Sequence, residues 1–153
     1  MANIYRIKVG RLIEVRLDSD VRTPEDVDAW FNGFAAAARG LPPGARAVVI
    51  ADWRACPLLS GDASERARLR LSQTNPRVER SAAFAVAESA ITVLQFLRLC
   101  LDSGNPNRRC FTKLEPMVDW LGEVLTGPER QRLAEFLAEF DDGHASVPKR
   151  RVP

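Results

Sequence analysis

Apolar and polar side chains alternate along Ile4 to Val9 and again along Leu12 to Leu17. A period of two is that of a β-strand, and Gly10-Arg11 between the runs suits a two-residue turn with glycine first, so a β-hairpin is expected. The period then changes. Thr23-Pro24-Glu25-Asp26 supplies an N-cap, a proline at the first helical position and acids in the first turn. Val27, Phe31, Phe34 and Ala38 follow at i, i+4, i+7 and i+11, which predicts a helix to about Arg39, stopped by Gly40 and Pro42-Pro43-Gly44. Ala47 to Trp53 is apolar without alternation, as expected of a strand covered on both faces, and belongs mid-sheet.

Beyond Cys56 to Gly61, Asp62 and Glu65 stand at capping-box spacing and predict a helix to about Thr74, before Asn75-Pro76. Its inner stripe is thin: Ala63, Ala67, Leu71 and Thr74. Ala82 to Ala87 reads as a further short buried strand. Ser89 can cap Ala90 to Leu101, a segment apolar on nearly every side, which is either the most deeply buried helix or the bearer of a groove or partner surface. Gly104-Asn105-Pro106-Asn107 ends it, and Arg109-Cys110-Phe111 is a short strand. Thr112 with Glu115, and Thr126 with Glu129, open two last helices carrying Met117, Trp120, Leu121, Val124 and then Leu133, Phe136, Leu137, Phe140. The order β-β-α-β-α-β-α-β-α-α is an α/β fold, a single mixed β-sheet with an N-terminal β-hairpin and helices packed on it. Residues 1–140 are expected to form the one domain, and residues 141–153 a flexible basic C-terminal tail.

Composition narrows the function. With 153 residues, 46% of them hydrophobic, the chain has the size of one domain and a core that needs neither disulfide nor metal. The formal charge is +2, but Lys149, Arg150 and Arg151 fall in the tail, and without them 19 basic side chains face 20 acidic ones. A near-neutral body lacks the basic face that a nucleic-acid interface needs. Nineteen of the 22 basic residues are arginine, a bias read as compositional rather than functional. Cys56, Cys100 and Cys110 make an odd set without a CxxC pair, and His144 is the one histidine. Neither a metal site nor a Ser-His-Asp triad is therefore expected, and the thiols read as buried and reduced. No GxGxxG or GxxxxGK[ST] loop is present, and no cofactor or catalytic residue emerges. Met1 to Arg6 runs straight into the first alternation without the apolar stretch of a signal peptide, and no run approaches the ~20 apolar residues of a membrane span. A cytoplasmic location is the expectation.

Three features together resemble the STAS family, the anti-sigma-factor antagonist-like domains, whose bacterial members are loosely related to lipid-binding CRAL-TRIO domains. They are the element order, the Ala47 to Trp53 strand followed by a loop and helix, and the pattern Leu101-Asp102-Ser103-Gly104, Cys110-Phe111-Thr112 and Trp120-Leu121. The resemblance covers roughly Ile4 to Leu125. It implies a bacterial, regulatory, non-enzymatic domain that acts by binding another protein. It also implies control by phosphorylation of a serine where the helix after the central strand begins. The family's Asp-Ser-Ser-Gly signature is absent at that place, where Ser60-Gly61-Asp62-Ala63-Ser64 stands instead.

Two surfaces are candidates. The first is the edge after the central strand: Asp52 at the strand end, Ser60, Asp62 and Ser64 in the loop and first turn, and Arg66, Arg70 and Arg77 as a helical ridge able to receive an acidic partner. Asp52, Glu88 and Asp119 have no His or Lys partner in sequence, so acid-base chemistry is not expected of them. The second is the oily helix, where Ile91, Leu94, Phe96, Leu97 and Leu101 exceed what one buried stripe uses. Covering by the helix Glu129 to Phe140 is the plainest use of that excess. A homodimer contact, or a groove for a small apolar, lipid-like ligand, is the functional one.

Overall fold

The computed structural model describes residues 3–18, 20–86 and 89–145, with side chains to residue 140. Strands β1 (Ile4–Ile7), β2 (Leu12–Arg16), β3 (Ala47–Asp52), β4 (Val78–Phe84) and β5 (Arg108–Phe111) lie in one sheet in sequence order. β1 is antiparallel to β2, and every later neighbour is parallel. Helices α1 (Pro24–Ala38), α2 (Gly61–Thr74) and α3 (Ala90–Asp102) make the parallel crossovers; α4 (Leu114–Gly122) and α5 (Gly127–Ala145) follow the last strand. This is the expected single mixed sheet with its hairpin at the N-terminus.

The helices divide between the two sheet faces for a topological reason. Each crossover advances one strand in the same direction, and crossovers of one hand then put all three connecting helices on one side. On that side Ile13, Val15, Val49, Ala51 and Ala83 meet Trp30 and Phe34 of α1, Ala63 and Leu71 of α2, and Phe96 and Leu99 of α3. Leu12, Val48, Ile50, Ala82 and Phe84 point the other way, onto Met117 and Trp120 of α4 and Leu133 and Phe136 of α5. The central strand is thus β3, covered on both faces, as its unbroken apolar run requires.

Several local expectations need correction. The hairpin turn is longer than two residues: the last pair is Ile7 with Ile13, and Gly10 takes φ +58° beside the Glu129 carboxylate, where a Cβ would overlap it. β4 begins at Val78, earlier than the apolar stretch suggested, because Arg80 and Ser81 are polar yet paired with β3, while Glu79 is the extra residue where the register shifts; Ala87 and Glu88 lie outside the described residues. α2 is capped by Ser60, which accepts from the Ala63 amide, so Asp62 is a first-turn acid and not the cap. α4 has Lys113 at its N-cap with no side-chain cap bond, so Thr112 and Glu115 form no box. The Thr126 and Glu129 box does form: the Thr126 amide donates to Glu129 at 2.8 Å and the Glu129 amide to the Thr126 hydroxyl at 3.3 Å. α5 continues to Ala145, into the stretch expected as tail, and 146–153 lie outside the described residues.

Trp120 and Phe136 are both buried, Phe136 completely. The Trp120 ring stacks near Phe111 at 5.6 Å and carries the Arg80 and Arg109 guanidiniums over it at 5.0 and 4.7 Å. Truncating either residue to Ala removes a large side chain from a core that cannot collapse, and should cost about 3–5 kcal/mol. Urea denaturation of Trp120→Ala and Phe136→Ala measures it; wild-type stability in both would place α4 and α5 off the sheet.

Candidate functional site

Under α5 the sheet carries charge where an apolar face is usual. Glu14 and Arg16 occupy the β2 positions that point at α5, and Asp52 is the paired neighbour of Arg16 on β3. All three are buried, Glu14 and Asp52 completely. The Asp52 carboxylate accepts from Arg16 Nε at 2.8 Å, from Arg54 Nε and Nη2 at 2.9 Å each, and from the Arg54 amide at 3.2 Å. Four donors fill the roughly four lone-pair sites of a carboxylate, so its hydrogen-bonding capacity is taken up inside the protein. The strand-end acid thus faces inward, onto α5, and does not edge the surface. Its Arg16 and Arg54 partners also donate to the Phe136 and Leu137 carbonyls of α5 and lie over the rings of Phe136 and Phe140, at 4.2 and 3.8 Å respectively.

Glu14 repeats the arrangement one step along the helix. Arg132 of α5 donates to both its oxygens at 2.8 Å, and Arg6 of β1 adds a third bond at 2.9 Å. Arg6 and Arg132 also hold Glu139, at 2.7 and 2.9 Å. Burial pushes the Glu139 carboxyl upward, but hydrogen bonding and charge from Arg132 and Arg6 outweigh it and hold the group below the usual carboxylate range. Sequence reasoning missed this network. Glu14 and Arg16 sit at alternate positions of a strand paired with a fully buried one, which was the available signal.

The remaining residues of the first candidate surface separate. Ser60 is exposed at the α2 cap, Asp62 is exposed one residue into the helix, and Ser64 is half-buried with its amide bonded to the Ser60 carbonyl. Arg66 is ion-paired to Asp28 of α1; Arg70 donates to Asn32 at 3.3 Å, approaches Asp28 at 3.8 Å and lies over Phe31. This part of the ridge therefore ties α2 to α1. Arg77 is not on the ridge at all, because α2 ends at Thr74 and a 3-10 turn over Asn75–Arg77 carries it to the opposite end of the sheet.

The second surface is more open than expected. Only Phe96, Leu99 and Cys100 of α3 are buried, and Phe96 belongs to the core, edge-on to Trp53 at 4.9 Å. Ile91, Leu94, Leu97 and Leu101 are exposed by 68%, 64%, 37% and 78%. α5 does not cover them because it packs on the other sheet face. Gln95 fastens the loop between β3 and α2, accepting from the Leu59 amide at 2.8 Å and donating to its carbonyl at 2.9 Å, next to Leu58, itself 49% exposed. Along the far half of α3 a groove of about 550 Å³ runs to the β5 edge, lined by Leu97, Cys100, Leu101, Cys110 and Phe111 among others.

Burial pushes the Cys56 thiol up to about 12, helped by the Asp18 charge; it raises Cys100 to about 12 and Cys110 to about 11. Such groups stay protonated and unreactive at neutral pH. Among the described residues no group of three or more His, Cys, Asp or Glu could hold a metal ion, and no helix is long and apolar enough to cross a membrane. No protein-family model matches the chain, and no curated protein matches it.

Two outcomes are expected. Glu14→Leu strands Arg132 and Arg6 and should cost about 3–5 kcal/mol, whereas Glu14→Leu with Arg132→Met leaves the Arg6 to Glu139 pair intact and should recover most of that loss. A double-mutant cycle by urea denaturation decides it, since additive losses would mean that the pair is not coupled. Thiol titration with a disulfide reagent should be slow on the native protein and reach three groups after unfolding without reductant; a count of one would reveal a disulfide.

Proposed function

We propose that the chain is a non-enzymatic, STAS-like regulatory domain that binds another protein, and that the partner docks on the outer face of α3 beside the Leu58 to Ser60 loop. The observation that carries this reading is the uncovered stripe Ile91, Leu94, Leu97 and Leu101. Contiguous exposed apolar side chains of this size mark association surfaces on soluble domains. Arg98 stands within the stripe, exposed and without an ion pair or hydrogen bond to the described residues, so the partner offers an apolar strip with an acid among it. Saturation of Asp52 by arginine supports the non-enzymatic part of the reading.

The docking edge is thus moved from the Arg66 and Arg70 ridge, which is engaged with α1, to the neighbouring helix. The groove lined by Leu97, Leu101, Cys110 and Phe111 favours a second reading, in which a small apolar ligand lies between α3 and β5.

Leu94→Asp with Leu101→Asp should leave folding stability within about 0.5 kcal/mol of wild type, because both side chains are exposed, and should abolish partner capture. Pull-down against Arg66→Glu with Arg70→Glu tests the placement. Loss in the arginine variant alone would return the interface to α2, and a small apolar mass carried through native mass spectrometry would favour the ligand reading.

A further inference from the structure

Each parallel strand is entered through an arginine. Arg11, Arg46 and Arg77 immediately precede β2, β3 and β4, and Arg108 begins β5. The two outer ones are satisfied. Arg11 is paired with Glu79 and donates to the Arg46 and Val124 carbonyls. Arg108, buried, donates to Asn75 and Thr74 at 2.8 Å and to the Leu71 carbonyl at 3.3 Å.

The two central ones are not. Arg46 and Arg77 are exposed, and their side chains make no hydrogen bond or ion pair with the described residues. Ala47 and Val78, the residues that follow them, are direct partners across β3 and β4, so the two arginines enter the sheet one strand spacing apart, about 4.8 Å. Arg39, also exposed and unpaired, faces them from the end of α1, where its charge offsets the negative pole of the helix.

The three line one concavity of about 320 Å³ with Leu41, Pro43 and Gly44. Its rim is a tight turn: the Ala45 amide donates to the Pro42 carbonyl at 3.0 Å, Pro43 fixes the first corner and Gly44 supplies φ +78° at the second. Such a turn holds its shape before any ligand arrives.

We propose that this concavity at the N-terminal end of the parallel strands binds a phosphate group, held by the forked donors of Arg46 and Arg77 with Arg39 opposite. Planar guanidiniums match phosphate oxygens two at a time, and a site with no carboxylate among its lining residues does not repel them. The volume lies at the small end of ligand pockets, which fits a phosphomonoester or diphosphate rather than a polymer. The site is at the opposite end of the sheet from the loop after β3, so it stands or falls independently of the α3 docking surface.

Calorimetric titration with inorganic pyrophosphate at low ionic strength, and sedimentation with phosphatidylglycerol vesicles, test it. Arg46→Ala with Arg77→Ala should weaken pyrophosphate binding by at least about tenfold, the loss of one or more charge-assisted hydrogen bonds. Arg66→Ala with Arg70→Ala should leave it unchanged. Pyrophosphate should also raise the melting temperature of the wild type and not that of the Arg46, Arg77 double variant, whose ligand-free melting temperature reports intact folding. Pyrophosphate binding without vesicle retention assigns the phosphate to a soluble ester; retention on vesicles that the double variant loses assigns it to a lipid headgroup. Absence of both, or equal binding by the double variant, overturns the proposal.

Discussion

The last helix is held to the sheet by two carboxylates that have no access to water. Glu14 and Asp52 stand on neighbouring strands, and Arg6, Arg16, Arg54 and Arg132 close around them. Removing these charges from water costs several kcal/mol each, and the fixed geometry of the guanidinium forks offsets that cost. The net contribution to stability is therefore small, and the contribution to position is large. An apolar helix could slide or rotate on an apolar sheet, but α5 can satisfy Glu14 only with Arg132 over it, and the Phe136 and Leu137 carbonyls must lie within reach of Arg16 and Arg54.

That docking completes a division of labour set by topology. Three crossovers of one hand fill the first sheet face with α1, α2 and α3, so the chain after β5 has the second face to cover. With α5 pinned there, nothing among the described residues covers the outer side of α3, and its leucines remain at the surface. The internal ion network and the exposed apolar stripe are in this sense two consequences of the same arrangement. Charge that would ordinarily face solvent is inside, and apolar area that would ordinarily be inside faces solvent.

Arginine has three physical roles in this molecule. Under α5 it closes on buried carboxylates, between α1 and α2 it forms half-exposed pairs with Asp28, and at the entry of the central strands it is exposed and unbonded. The compositional bias toward arginine is the same in all three settings. Burial and the presence or absence of a nearby carboxylate separate a structural guanidinium from one available to a ligand.

The element order, the central placement of Ala47–Asp52 and the boundaries of most helices were legible in the chain, because period, caps and breakers act within a few residues of one another. The Thr126 box and the Ser89 cap are local bonds and were read correctly from spacing. Whether Glu14 and Asp52 face water or an arginine was not legible, since a period of two gives the face of a strand and not what covers that face. The partners that decide it, Arg132 and the α5 carbonyls, lie more than a hundred residues from Glu14 and Arg16. The same holds for the oily helix: its excess of leucine was plain in the sequence, but covering or exposing it depended on which face of the sheet α5 takes. Sequence thus determined the local elements, through short-range sterics and hydrogen bonding. Tertiary structure alone decided which charges are buried and which apolar side chains are free, because burial depends on everything packed around a residue.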